Sequence, residues 1–174
     1  MKLVEGVAAV DDVDAFVEHV GGVGAEHDCA VQVLDAGLVA GRGHLRSAVA
    51  HANRSFERGE NVADDRAVEI LLYAAGRRQI REALTMGVSE GETPAVAVVD
   101  DGRLRPGERV EASADERQAA AAIRELFTPD ETLGAADPER VAAFFDVSPR
   151  ERAATDAPLS ALVRERVALL DVEK

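Results

Sequence analysis

Tryptophan is missing from this chain of 174 residues, and aromatic residues of all kinds make up 3% of it. A core without aromatic plates must be filled by Ala, Val and Leu. Nowhere is there an apolar run of about 18 residues, which excludes a membrane-spanning helix. The opening Met1–Gly6 lacks the apolar stretch of a signal peptide, so a cytoplasmic protein is expected. Cys29 is the only cysteine, which excludes an internal disulfide. It opens the apolar run 29–34, where a small buried residue fits better than a thiol nucleophile. A reactive thiol needs a base and an electropositive, partly open setting. Lysine is nearly absent too: of 20 cationic residues only Lys2 and Lys174 are lysines. Catalytic signatures are equally scarce. No phosphate-binding loop, zinc-ligand spacing or serine elbow occurs, and the four histidines are scattered. No carboxylate pair lies in an apolar context that would raise a pKa for acid–base work. No catalytic residue, metal ligand or cofactor is therefore expected.

What is present is acid, alanine and valine. The net charge is -13 and the apolar fraction 47%, so the chain is globular and most simply one domain over residues 1–174. An acidic balance ordinarily argues against nucleic acid. Abundant Asp and Glu with almost no Lys also resembles a salt-adapted proteome, in which the global sign says little about partners. The charge is uneven. Residues 36–86 carry eight Arg against six acids, a net of +2, between flanks of -7 and -8. The plain reading is that these arginines pair at i,i+4 with Glu57, Glu60 and Glu69 on solvated helix faces.

Periodicity supplies the elements. Residues 2–10 alternate as a strand. Residues 11–19 read as a helix capped by Asp11 or Asp12, with Val13, Phe16, Val17 and Val20 as its stripe and Gly21–Gly24 as its end. Residues 29–34 form a second strand. From His44 to Arg58 the set Leu45, Ala48, Val49, Ala52 and Phe56 marks an amphipathic helix. Arg46, Asn53, Arg54 and Glu57 fall on its outer face, His44, His51, Ser55 and Arg58 on its flank, and Gly59 at its C-cap. Pro94–Val99 is a third strand, ended by an Asp-Asp-Gly turn, with Arg103–Glu111 a returning strand or loop. A helix from Ser113 or Asp115 to Phe127 follows. Two more open at Asp137-Pro138 and Ser148-Pro149, the latter with capping-box spacing. A last one opens at Pro158. The expected fold is α+β: a small, mostly antiparallel sheet covered by several helices, with a helical C-terminal part over residues 113–172.

One segment stands out. Asp64 or Asp65 can cap a helix in which Ile70-Leu71-Leu72-Tyr73-Ala74-Ala75 leaves no wide polar face, so this helix is central. Gly76 stops it, and Arg77-Arg78-Gln79 open a short helix to Met86 with Ile80, Ala83 and Leu84 inward. Planar cations beside a glycine and at a helix start suit an anion or an unstacked nucleotide. The alternative is that Arg77 and Arg78 merely pair with Glu82 or Asp65.

Several blocks within residues 29–100 resemble the small accessory subunit of the KEOPS (EKC) complex, the family of the PRPK-binding protein. They are Gln32–Ala36, Ala40–Leu45, Asn53–Asn61, Glu69–Ile80, and Gly87-Val88 with the strand 95–99. They are similar to archaeal members, and the acidity suggests a halophilic one. Residues 101–136 match less well. The resemblance implies a subunit that is not an enzyme. It would bind the complex's kinase/ATPase-like subunit directly and other KEOPS subunits indirectly, and recruit tRNA through its 3' CCA end for threonylcarbamoyladenosine formation. Arg42, His44, Gly76, Arg77, Arg78 and Gln79 are then the expected tRNA-binding residues. Leu159, Leu162, Val163 and Leu170, on the stripe of the last helix, are the expected anchors for the kinase-like subunit. A regulator that binds protein but no RNA, and a small-molecule enzyme with its pocket at the Gly76 turn, remain open.

Overall fold

Alternation along the strands puts apolar side chains on both faces of one sheet, and both faces are covered. A computed structural model of the protein describes residues 1–172. Strands β1 (Lys2–Val10), β2 (Ala30–Asp35), β3 (Gly91–Asp100) and β4 (Phe127–Pro129) form an antiparallel sheet in the order β2-β3-β1-β4. On β3, Ala95, Ala97 and Val99 point to one side and Val96 and Val98 to the other. The first side packs on α1 (Val13–Glu26) and α5 (Ala114–Arg124) through Val20, Ala119, Ala120 and Ile123. The second packs on α2 (Arg42–Arg58), α3 (Arg66–Ala75) and α8 (Leu159–Leu169). The short helices α4 (Ile80–Ala83), α6 (Pro138–Phe144) and α7 (Pro149–Ala153) complete the second layer's edges. This is the α+β fold expected, in one compact domain. Among the described residues no helix is long and apolar enough to cross a membrane.

Capping residues set the helix starts as expected. Asp12, Asp65, Ser113, Asp137 and Ser148 each accept a backbone N–H of the first turn. The reciprocal capping box forms at Ser113 and Glu116 rather than at Ser148, because the Glu151 carboxylate turns to Arg166, 2.7 Å away.

Four expectations are corrected. First, α1 runs through Gly21-Gly22-Val23-Gly24 to Glu26. Gly24 is buried against β2, where a Cβ would come within 2.6 Å of the Cys29 carbonyl; the glycine admits a close strand, and the helix continues. Its stripe is rotated accordingly, leaving Val17 58% exposed. Second, Phe127 starts β4 instead of ending a helix, and Thr128 pairs with Val7 of β1. Gly6 makes room, since a Cβ there would meet the Thr128 carbonyl at 2.6 Å. Third, Asn53, His44 and Ser55 of α2 are buried, because α2 is covered on more than one side by α3, α8 and the loop through Leu104. Fourth, the helix after Gly76 is one turn long, and it leaves Ile80 and Leu84 44% and 59% exposed. Residues 101–113 form a loop.

Candidate functional site

The site is built at the end of α3. Apolar side chains on nearly every face drive this helix into the core, and Ile70, Leu71, Leu72, Tyr73, Ala74 and Ala75 are all buried. Glu69, expected on a solvated face, is 1% exposed. Its carboxylate accepts from the Ser55 hydroxyl at 3.1 Å and from the N–H groups of Val62 and Ala63 at 3.0 and 2.9 Å. A buried carboxylate with three donors is compensated without a cation, and it pins the connection between α2 and α3.

Gly76 ends α3 in the left-handed region at φ 62°. Its N–H donates to the Tyr73 carbonyl and that of Arg77 to the Leu72 carbonyl, the paired bonds of a Schellman motif. The turn aims Arg77 and Arg78 at the C-terminal segment instead of at Glu82 or Asp65. Arg77 donates to the Phe144 carbonyl at 2.6 Å and to Asp146 at 2.8 Å, and lies 5.8 Å over the Phe144 ring. Arg78 donates to the Leu170 carbonyl at 2.8 Å, while its buried Nε has no partner. Both side chains remain partly open to solvent, and Gln79, the N-cap of α4, is exposed.

His44 and Arg42 start α2 at the same end of the helix pair. His44 lies inside rather than on the flank, at 0% exposure. Its Nδ1 accepts from the Ala40 N–H at 3.1 Å, and its Nε2 lies 2.7 Å from the Ala74 carbonyl. These partners fix the neutral tautomer with the proton on Nε2. Its ring meets Phe145 edge-on at 5.3 Å. Desolvation lowers its pKa to about 4, against the hydrogen bond to Ala74 that raises it. His44 therefore orients the end of α3 from within. Arg42 is well exposed and turned to Glu5, 3.1 Å away. Thus the structure gathers Arg77, Arg78 and Gln79 at one turn, places Arg42 at the same end, and withdraws His44 from the surface.

The stripe of α8 is spent on the protein's own core. Leu162, Val163 and Leu170 are 5% exposed or less, and Leu159 packs against the same cluster. Just beyond the helix, Asp171 latches the segment to α2 and α3. It accepts from Tyr73 Oη at 2.7 Å, lies 2.7 Å from His51 Nδ1 and pairs with Arg54. Desolvation raises its pKa, but these hydrogen bonds outweigh it and hold the carboxyl below its usual range. This latch was not legible beforehand, since nothing in local periodicity links residue 171 to residue 51.

A second polar group escaped the sequence as well. Asn53 donates to Asp100 at 2.7 Å and to the Leu104 carbonyl at 3.2 Å. Asp100, Asp101 and Glu116 bring one carboxylate oxygen each within 4.8 Å of one another, the one such set among the described residues. The Met1 amine lies 2.5 Å from Glu116 and 3.9 Å from Asp100, supplying the countercharge. Cys29 is buried, and desolvation first, then Glu116, pushes its thiol up to about 11. A thiol so placed stays protonated at neutral pH and is a poor nucleophile.

A family model described as "Kinase binding protein CGI-121" matches residues 9–171. No curated protein matches the chain.

Proposed function

Since the chain belongs to the CGI-121 family of kinase-binding proteins, we propose that it is the non-catalytic accessory subunit of a KEOPS-type complex. In this role it binds the kinase/ATPase-like subunit and recruits tRNA by its 3' CCA end. The family match over residues 9–171 carries the reading. The tRNA half is supported by Arg42, Arg77, Arg78 and Gln79 standing at one end of the α2–α3 pair, in the least acidic part of an acidic chain. Arginine planes and an amide suit unstacked bases and phosphates. Gly76 allows the turn that presents them, and His44 fixes the Ala74 carbonyl behind it. For the kinase contact, the α8 stripe is occupied by the core, so the anchors move to Ile80 and Leu84. These are two exposed apolar residues one turn apart on the rim of the second helix layer.

Two measurements test the reading. The protein alone should bind tRNA at a stated salt concentration and lose most of that binding when the CCA end is removed. Ile80→Asp with Leu84→Asp should abolish capture of the purified kinase-like subunit while leaving the melting temperature unchanged. Retained kinase capture without tRNA binding favours the pure regulator. Turnover of a nucleotide by the isolated chain favours the enzyme.

A further inference from the structure

The loop 101–113 matched no motif, yet it walls a recess with more positive charge than the Gly76 turn. The recess has a volume of about 280 Å³ and lies between the first half of α2, the middle of α8 and residues 105–107. Gly43, Ser47 and His51 line its α2 side, with Arg46 beside them; Arg164 comes from α8 and Arg105 from the loop. The cations differ in how far they are already compensated. Arg105 is held by Glu57 at 2.8 Å and by the carbonyls of Gly102 and Leu104, so it shapes the wall. Arg46 donates to the Glu108 backbone carbonyl, a neutral acceptor that leaves its charge uncancelled. Arg164 is exposed and has no ion pair or hydrogen bond to any described residue. The Asp171 carboxylate near His51 is already shared among His51, Arg54 and Tyr73.

We propose that this recess holds the phosphate backbone of a single strand of RNA, with Arg164 and Arg46 on the phosphates. The proposal rests on the tRNA reading above and moves the strand's main electrostatic contact away from the Gly76 turn. Charge complementarity identifies the occupant. In a protein of net charge -13, two arginines without carboxylate partners beside one concave surface suit an anion held by planar donors. The short side chains of Gly43 and Ser47 let a backbone approach α2 closely, and the arginine planes offer stacking surfaces for unpaired bases; the His51 ring, stacked on Tyr73 and held by Asp171, forms the floor. A recess of about 280 Å³ walled by α2, α8 and the loop has room for part of one strand but not for both strands of a duplex.

Fluorescence anisotropy with a short labelled single-stranded RNA ending in CCA, titrated at several salt concentrations, tests this on the full chain. Arg164→Ala should weaken binding by roughly tenfold, one charge-assisted hydrogen bond, and lower the salt slope by about 0.7. Arg164→Lys should recover part of the loss. Arg124→Glu, on α5 across the sheet, should change affinity far less than Arg164→Glu, and the blunt duplex should bind more weakly than the single strand. Binding by the wild type that Arg164→Glu leaves unchanged, or that Arg124→Glu weakens equally, overturns the recess and spares the tRNA reading. A duplex bound as tightly as the single strand overturns the strand assignment. No binding by the wild type overturns both.

Discussion

Acid should destabilise this protein through His44 in particular. Protonation would put a second proton on Nδ1, which now accepts from the Ala40 N–H. It would thereby set a buried cation against a donor, with the Ala40 N–H, the Ala74 carbonyl and the Phe145 ring around it and no carboxylate in hydrogen-bond contact among the described residues. In the folded state the pKa is about 4, against the usual 6.5. Between those values the unfolded chain binds a proton that the native chain does not, so stability falls as pH falls. The contribution is complete above about pH 6.5, declines by about 1.4 kcal/mol per pH unit, and is exhausted below about pH 4. The total is about 3 kcal/mol, a large share of a typical stability of about 5–15 kcal/mol. Urea unfolding from pH 4 to 7.5 would measure it. Carboxylates of the unfolded chain begin to take up protons at the acid end of the same range, so the quantity to read is the difference between wild type and His44→Gln. That variant keeps a donor and an acceptor but no titrating ring. The difference should shrink by about 3 kcal/mol as pH drops from 6.5 to 4. A difference that stays flat, or an imidazole proton resonance of His44 titrating near 6.5, would refute the reasoning.

Two further perturbations separate readings that look alike in sequence. Gly22→Ala in α1 meets nothing within 4 Å and should stabilise by about 0.5–1 kcal/mol, the usual gain for a helix interior. Gly24→Ala, two residues on, drives a methyl to 2.6 Å from the Cys29 carbonyl and should lower the melting temperature clearly; equal effects at both positions would contradict the continuous helix. On α8, Leu162→Ala should cost about 2–5 kcal/mol in chemical denaturation, while Arg164→Ala should cost close to nothing. A small loss for Leu162→Ala would mean that its stripe is not core.

Features set by neighbouring residues are legible in the sequence. Strand β1 is plain in the alternation of residues 2–10, and Asp12, Asp65, Ser113 and Asp137 cap helices because a short polar side chain reaches only its own first turn. Gly59 and Gly76 end helices in the left-handed region for an equally local reason. The central place of α3 also followed from its composition, since a helix without a polar face has to be surrounded. Local pattern failed where a residue's neighbour is distant in the chain. Gly24 looked like a stop and is a point of close approach to β2. Asn53, on the expected outer face, and Ser55, on the expected flank, are buried against Asp100 and Glu69.

The candidate site divides along the same line. Sequence alone determined that a glycine would end a buried helix and that Arg77, Arg78 and Gln79 would follow it, because backbone conformation and burial of that segment depend on its own residues. Only the tertiary structure decided what those arginines touch. The C-terminal segment returns beside α2 and α3, so Arg77 meets Phe144 and Asp146, Arg78 meets Leu170, and the α8 stripe is consumed by the core. The same return brings Arg164 beside Arg46 and the loop at Arg105. Side-chain direction at the end of a long, polar reach is set by whichever partner packs there, and no periodicity in the chain encodes which one that will be.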